Sequence, residues 1–162
     1  MNLRIIFAFF FIFLVTTVQS RNLVENFDKA AYYAILKSGK IDKVDDELTL
    51  LTSTTIVEKE AYEGTLLMKK AALIKIPAER LKTFKKGRTK LETALLNDGS
   101  NGEYHFLRLV IQENAPKIVK YSADIETDKQ DIQRSFKSLT PVVQGVILDY
   151  CKSSKILHAQ DF

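Results

Sequence analysis

The sequence predicts an all-α fold of about seven helices joined by short turns. Apolar residues recur at spacings of three and four along most of the chain, and the alternation typical of strands is nearly absent. Proline and glycine fall between the periodic segments, where they end one helix and start the next. Because short turns place neighbouring helices antiparallel, we expect helical hairpins.

The N-terminus predicts a signal peptide over residues 1–20. Arg4 is its one charged residue, an apolar run covers residues 5–15, and we expect cleavage after Ser20. The alternative is an uncleaved anchor, for which this run is shorter than the ~20 residues that span a bilayer. Residues 21–162 then form a single helical domain, periplasmic or secreted, without a transmembrane anchor.

Apolar spacing predicts two helices at the start of this domain. The first runs from about Leu23 to Lys37, and Gly39 follows where a C-cap glycine belongs. The second runs from about Ile41 to Leu51. Both carry a stripe of apolar residues for the core.

The sequence also predicts where the third and fourth helices begin. Thr55 and Glu58 form a Ser/Thr-x-x-Glu capping box, which predicts a helix that reaches about Ile74. Gly64 lies in a row of small residues on its inner face, which predicts the close approach of another helix. Pro77 suits the first turn of the fourth helix, because its missing amide hydrogen has no partner there.

The fifth helix is predicted to be the central one. Residues 97–99 end the fourth helix, and Ser100 with Glu103 forms a second capping box that opens the fifth. This helix reaches about Ala115 and is apolar around most of its circumference. A helix of that kind is typically buried among other helices.

Two more helices complete the prediction. The sixth spans residues 116–139, with a break near Thr127. Thr140 caps the seventh, which opens with Pro141. We expect the tail after Ser153 to be frayed.

One passage resembles the tetratricopeptide repeat family. Residues 90–108 resemble a junction between two repeats, in which a helix ending in alanine and leucine turns into one rich in small and aromatic residues. Residues 30–33, Ala-Ala-Tyr-Tyr, are a second, shorter echo, and Gly99 and Ser100 stand where the family has its proline. The resemblance implies a protein-binding scaffold of stacked hairpins, so the fold is a TPR-like array or an irregular helical bundle. The whole chain also resembles small exported helical proteins of Gram-negative bacteria.

Charge is distributed unevenly along the chain, although the net charge is only +4. A basic block follows an acidic one that covers residues 42–63. The basic block indicates a surface for an anionic partner such as lipid headgroups, an anionic polymer or an acidic protein. The alternative is a solvated flank that the acidic block partly neutralises. Nucleic acid is not expected, because sites for it interleave aromatic residues with cations, and Phe84 is the only aromatic residue within this block. The basic block comprises Lys69, Lys70, Lys75, Arg80, Lys82, Lys85, Lys86, Arg88 and Lys90.

A second group of polar residues lies on the fifth helix. Tyr104, Arg108 and Gln112 share one face because they are four residues apart. A buried guanidinium needs an acidic partner from another helix. The group is either a structural polar network or a pocket in which Arg108 binds a carboxylate or phosphate. The candidate residues are Tyr104, His105, Arg108, Gln112, Glu60 and Glu63.

The sequence contains no motif for catalysis, a metal or a cofactor. Its two histidines lack metal-ligand spacing. Cys151 is the sole cysteine, so no intramolecular disulfide is possible, and we expect a free, buried thiol. The leading hypothesis is therefore a non-catalytic module that binds another macromolecule, most simply a protein, in the cell envelope. The alternatives are a small exported hydrolase or ligand carrier with a polar cleft around Arg108, and a peripheral binder of anionic surfaces through the basic block.

Overall fold

The structure, a computed structural model, describes residues 27–162. The predicted signal peptide and the first residues of the predicted first helix lie outside this range. Within it, seven α-helices and three short 3-10 segments confirm the all-α class. The α-helices are α1 Lys29–Ser38, α2 Ile41–Ser53, α3 Lys59–Leu73, α4 Pro77–Asn97, α5 Gly102–Asn114, α6 Ile125–Ser135 and α7 Pro141–Tyr150.

Helix α5 lies at the centre of the fold, as its apolar circumference predicts. Ten of its thirteen residues are buried. Buried side chains of all seven helices form one apolar cluster around it, which includes Tyr32 from α1, Leu66 from α3 and Ile147 from α7. The other helices therefore surround α5 and bury their apolar stripes against it or against one another.

Helices α3 and α4 pack at backbone distance. A Cβ atom added to Gly64 would lie 2.6 Å from the backbone nitrogen of Leu91 and 2.8 Å from the carbonyl oxygen of Gly87. A Cβ added to Gly87 would lie 2.5 Å from the carbonyl oxygen of Gly64. The predicted close approach at Gly64 is confirmed, and Gly87 is its counterpart on the second helix.

Several predicted helix ends are confirmed. Gly39 adopts a left-handed conformation with a φ of +67° and closes α1. Pro77 lies in the first turn of α4, and the hydroxyl of Thr140 accepts a hydrogen bond from the Val143 amide of α7. These ends depend on short-range backbone chemistry, which a local sequence pattern contains.

Both predicted capping boxes are wrong. Helix α3 begins at Lys59, and no side chain caps it. Helix α5 is capped by Asn101, whose side-chain oxygen accepts hydrogen bonds from the amides of Glu103 and Tyr104. The carboxylate of Glu103 does not fold back onto the helix start, because it is directed into the protein interior, where it has stronger partners.

The sixth helix predicted for residues 116–139 is interrupted, but the break lies earlier than the predicted position near Thr127. A 3-10 turn covers Lys117–Val119, an irregular stretch follows, and α6 begins only at Ile125. Tyr121 explains the interruption, because its ring is 3% exposed and its hydroxyl donates to the Glu92 carboxylate of α4 at 2.6 Å. The chain leaves helical geometry to place this side chain in the core.

The C-terminal tail is packed, contrary to the prediction of fraying. Leu157 is fully buried, and the rings of Phe162 and Phe136 lie 4.5 Å apart. Asp161 forms an ion pair with Lys129 of α6 at 3.3 Å. The tail is held by contacts with distant parts of the chain, which a local reading of its composition does not contain.

Candidate functional site

Arg108 lies in a buried polar network between α5, α6 and α4. Its Nε and Nη2 atoms donate to both carboxylate oxygens of Asp128, the shortest of these bonds being 2.7 Å. Its Nη1 atom donates to Glu92 at 2.9 Å. Asp128 is fully buried. Burial alone would lower the pKa of Arg108, but the hydrogen bonds and charge of Asp128 outweigh it and raise this pKa.

His105 and Gln112 extend this network. The His105 Nδ1 atom lies 2.7 Å from Asp128, and its Nε2 atom lies 3.0 Å from the carbonyl oxygen of Gly99. Gln112 donates to Asp124 at 3.1 Å, while its own carbonyl oxygen is buried without a partner among the described residues. These bonds tie α5 to α6 and to the turn that precedes α5.

The predicted acidic partners of Arg108 are wrong. Glu60 and Glu63 both form ion pairs with Lys90, each at 2.8 Å, and do not approach Arg108. Tyr104 of α5 is also buried, but it takes no part in the network around Arg108. The donors of Arg108 are largely occupied by protein carboxylates, which leaves little of the guanidinium to bind a ligand.

A second polar cluster, around Glu103, has no counterpart in the sequence-based prediction. The buried carboxylate of Glu103 accepts hydrogen bonds from Tyr62 at 2.5 Å, Tyr33 at 2.9 Å and Lys29 at 2.9 Å. Lys29 also pairs with Glu58 at 2.9 Å. Burial, followed by the charge of Glu103, raises the pKa of both tyrosines. This cluster joins α1, α3 and α5 and is structural.

The basic block is partly neutralised by acidic and aromatic partners. Lys70 pairs with Asp45 at 2.5 Å, Lys90 pairs with two glutamates of α3, and the guanidinium of Arg88 lies 4.8 Å from the ring centre of Tyr121. Residues 82, 85 and 86 are exposed on α4, and their spacing of three and four residues places them on one face of the helix. These three cations form a short stripe on α4.

A large apolar cavity of about 1240 Å³ opens between the helices of the described residues. Its walls come from α1, α3, α4, α5 and α7, and from residues 115–119, which include the first 3-10 turn. None of Tyr104, His105 and Arg108 lines it. The candidate binding site therefore lies apart from the polar network that the sequence indicated.

The lining of this cavity is mostly hydrocarbon. Phe84, Phe106 and Ile111 are buried in its walls, and small residues of α1, α3 and α7 widen it. Large apolar side chains are also exposed at it, with Ile118 at 88% exposure and Leu81 at 47%. Exposed apolar side chains that gather around one concavity are typical of binding sites.

Four charged residues line the cavity, and they differ in whether a described residue of opposite charge pairs with them. Lys37 of α1 forms an ion pair with Asp149 of α7 at 2.6 Å. Lys69 of α3 is partly buried, and no hydrogen bond or ion pair joins it to another described residue. Arg80 of α4 donates from Nε and Nη2 to the carbonyl oxygen of Ile74, at 2.9 and 2.7 Å.

The remaining observations concern metals, membranes and the thiol. Within residues 27–162, no cluster of three or more His, Cys, Asp or Glu side chains is placed to hold a metal ion. In the same range, no helix combines the length and apolar character that crossing a membrane requires. Cys151 is free and partly exposed rather than buried, and burial raises the pKa of its thiol.

No protein-family model, no curated protein and no solved structure matches this chain. The resemblance to tetratricopeptide repeats therefore stays a prediction. The cavity and the charges around it are the features of the molecule that indicate a function.

The sequence contained a partial signal for the cavity. The alanines at 30, 34 and 72 face it, and an apolar pair, Ile118 and Val119, lies between two lysines. Small residues on helix faces usually indicate close helix packing, as they do at Gly64. Only the arrangement of the helices distinguishes a tightly packed row of small side chains from one that lines a cavity.

Proposed function

We propose that this protein is an exported, non-catalytic carrier that binds the hydrocarbon portion of a small molecule in the apolar cavity. The size and lining of the cavity support the proposal. Pockets of roughly 300–1,000 Å³ bury most of a drug-sized ligand, and this cavity is of that order or larger. The predicted signal peptide supports export.

The energetics of burial also favour a hydrocarbon ligand. Each buried methylene contributes about 0.8 kcal/mol. A chain of about ten methylenes would therefore gain about 8 kcal/mol, which offsets an association cost in the lower part of the range of about 4–15 kcal/mol. Covering Ile118 and Leu81 on the protein side adds to this gain.

The geometry gives less support to the other hypotheses. A hydrolase or carrier with a polar cleft at Arg108 would need free donors, and that guanidinium is engaged by Asp128 and Glu92. A peripheral binder of anionic surfaces would need a broad cationic face, and residues 82, 85 and 86 form only a short stripe on α4. Binding of another macromolecule in the envelope stays a prediction, and the same cavity offers a groove for it.

A neutral fluorescent dye tests the proposal. Nile red, which brightens in apolar surroundings, is titrated into the protein recovered from the export host, with its N-terminus read by mass spectrometry. Gly145 of α7 lines the cavity, and a Cβ added there meets nothing within 4 Å. Gly145→Trp should fill the cavity and weaken dye binding at least tenfold. Its emission should be blue-shifted because the cavity is apolar, and the signal is assignable because the chain has no other tryptophan.

Gly145→Ala is the matched control. It gives α7 a similar gain in helix propensity, about 1 kcal/mol relative to glycine, but fills little of the cavity. Dye binding should remain within about twofold of the original protein. Failure of the original protein to bind the dye, or equal binding by the tryptophan variant, would contradict the proposal.

A further inference from the structure

We propose that the ligand is a long-chain carboxylic acid, whose head group binds Lys69 and Arg80 while its tail lies against α5 and residues 115–119. This inference rests on the proposed function and names its ligand class. It follows from the position and pairing of the charges that line the cavity.

The two lining cations without an acidic partner are on the neighbouring helices α3 and α4, whereas Lys37 of α1 and Asp149 of α7 pair with each other. Lys69 and Arg80 lie near the junction of α3 and α4. The lining residues of α5 and of residues 115–119 carry no charge. A ligand that matches this wall must be charged at one end and apolar along the rest, which describes an amphiphile.

The sign of the head group follows from pairing. Asp149 is the one acid among the described lining residues, and it already pairs with Lys37 at 2.6 Å and Lys152 at 3.0 Å. It is therefore not free to bind a cationic head. Lys69 and Arg80 have no acidic partner among the described residues.

Neighbouring cations make the contrast clear. Lys70 follows Lys69 directly and pairs with Asp45 at 2.5 Å, and Lys90 pairs with two glutamates. Lys69 is partly buried, and burial lowers the pKa of its ammonium group with no acid to offset the effect. An anion beside Lys69 would supply the missing partner.

A carboxylate suits the donors that these two residues offer. The guanidinium of Arg80 has five N–H groups in a planar fork, and the Ile74 carbonyl engages only its Nε and Nη2 atoms. Its remaining donors and the Lys69 ammonium can serve two carboxylate oxygens. A phosphate presents three strong acceptor oxygens and more charge, which these side chains serve less completely.

The test is displacement of Nile red by three amphiphiles with the same sixteen-carbon chain. Palmitate, hexadecanol and hexadecyltrimethylammonium are compared below their aggregation concentrations, with hexadecyl phosphate as a further anion. We expect palmitate to displace the dye at a concentration at least tenfold lower than the alcohol or the ammonium does. Added salt should reduce this preference, because it screens the head-group charge. Shortening the acid should weaken its binding by up to about fourfold for each methylene removed.

Substitutions assign the head-group site. Lys69→Met and Arg80→Met should each reduce the preference for palmitate over hexadecanol at least fivefold, while the alcohol binds as before. Lys70→Met is the matched control on the same helix, because Lys70 is already paired with Asp45. It should leave the preference unchanged.

The outcomes separate the two proposals. If the dye binds but palmitate and hexadecanol displace it equally, the carrier function stands and the carboxylate assignment fails. Stronger displacement by the phosphate or the ammonium also overturns that assignment. A protein that takes up no dye, whether because a second copy covers the cavity in a dimer or because its own N-terminal segment fills it, overturns both.

Discussion

Asp128 provides the sharpest test of the polar network. It is fully buried and accepts hydrogen bonds from Arg108, with His105 at 2.7 Å. Asp128→Asn removes the negative charge and keeps the side-chain size. Removing one partner of a buried ion pair costs about 3–5 kcal/mol. Because Arg108 keeps Glu92 at 2.9 Å, we expect the lower end, a loss of about 3 kcal/mol.

Urea unfolding followed by circular dichroism measures this loss. For a domain of this size, about 3 kcal/mol corresponds to a melting temperature lower by roughly 6–12 °C. Asp45→Asn is the matched control, because Asp45 also pairs with a cation, Lys70, but in a more exposed place. We expect it to cost no more than about 1 kcal/mol.

A double variant separates burial from pairing. Arg108→Met with Asp128→Leu removes both charges, and replacing a buried ion pair by apolar residues is often nearly neutral. The double variant should therefore be more stable than Asp128→Asn. Equal losses in Asp128→Asn and Asp45→Asn would refute the reasoning, since they would mean that burial adds nothing to the pair.

Three further predictions concern packing, the cavity and pH. Gly64→Ala should lower the free energy of unfolding by about 2 kcal/mol, because overpacking of about 3 kcal/mol exceeds the ~1 kcal/mol gain in helix propensity; a raised urea midpoint of unfolding would contradict the close helix approach. Ile118→Ser should weaken Nile red binding at least threefold, whereas Leu96→Ser, equally exposed but outside the cavity, should not. Lys29→Met should lower the free energy of unfolding most at about pH 5–10. Urea unfolding across pH should show that this loss becomes smaller below about pH 5 and above about pH 10; a loss that does not change with pH would exclude an ionic contribution of Lys29.

The signs of the pH prediction follow from the two partners. Burial would raise the pKa of Glu58, but its hydrogen bond to Lys29 lowers it from 4.5. The stability that this carboxylate adds is present above pH 4.5 and is lost as pH falls through the lowered pKa. Burial would lower the pKa of Lys29, but its carboxylate partners raise it above 10.5. That contribution is present below pH 10.5 and is lost as pH rises through the raised pKa.

The helices could be predicted from the sequence because their signals are local. Gly39, Pro77 and Thr140 act on backbone groups within a few residues. The capping boxes failed where a tertiary partner competed, since the Glu103 carboxylate binds two tyrosines and a lysine in preference to its own helix start. A motif states what a side chain can do, and packing decides among the choices.

The candidate site depended on information that one sequence does not contain. The need of Arg108 for an acid was predictable, but Glu60, Glu63 and Asp128 were equally available in the sequence, and only the placement of α6 selects Asp128. The cavity depends on where helices diverge, which side-chain periodicity does not describe. The half-buried, unpaired state of Lys69 likewise appears only in the fold.

The ion pair between Lys37 and Asp149 has a consequence for how a ligand reaches the cavity. It joins two walls, α1 and α7, that are 112 residues apart in the chain, and both side chains are largely exposed. Exposed ion pairs contribute little stability and are screened by salt. Salt therefore weakens this link between the two walls, while the buried core that also holds α1 and α7 is unaffected. Uptake of a long chain should be faster at higher ionic strength with no change in helical content, because the protein opens along this seam without unfolding.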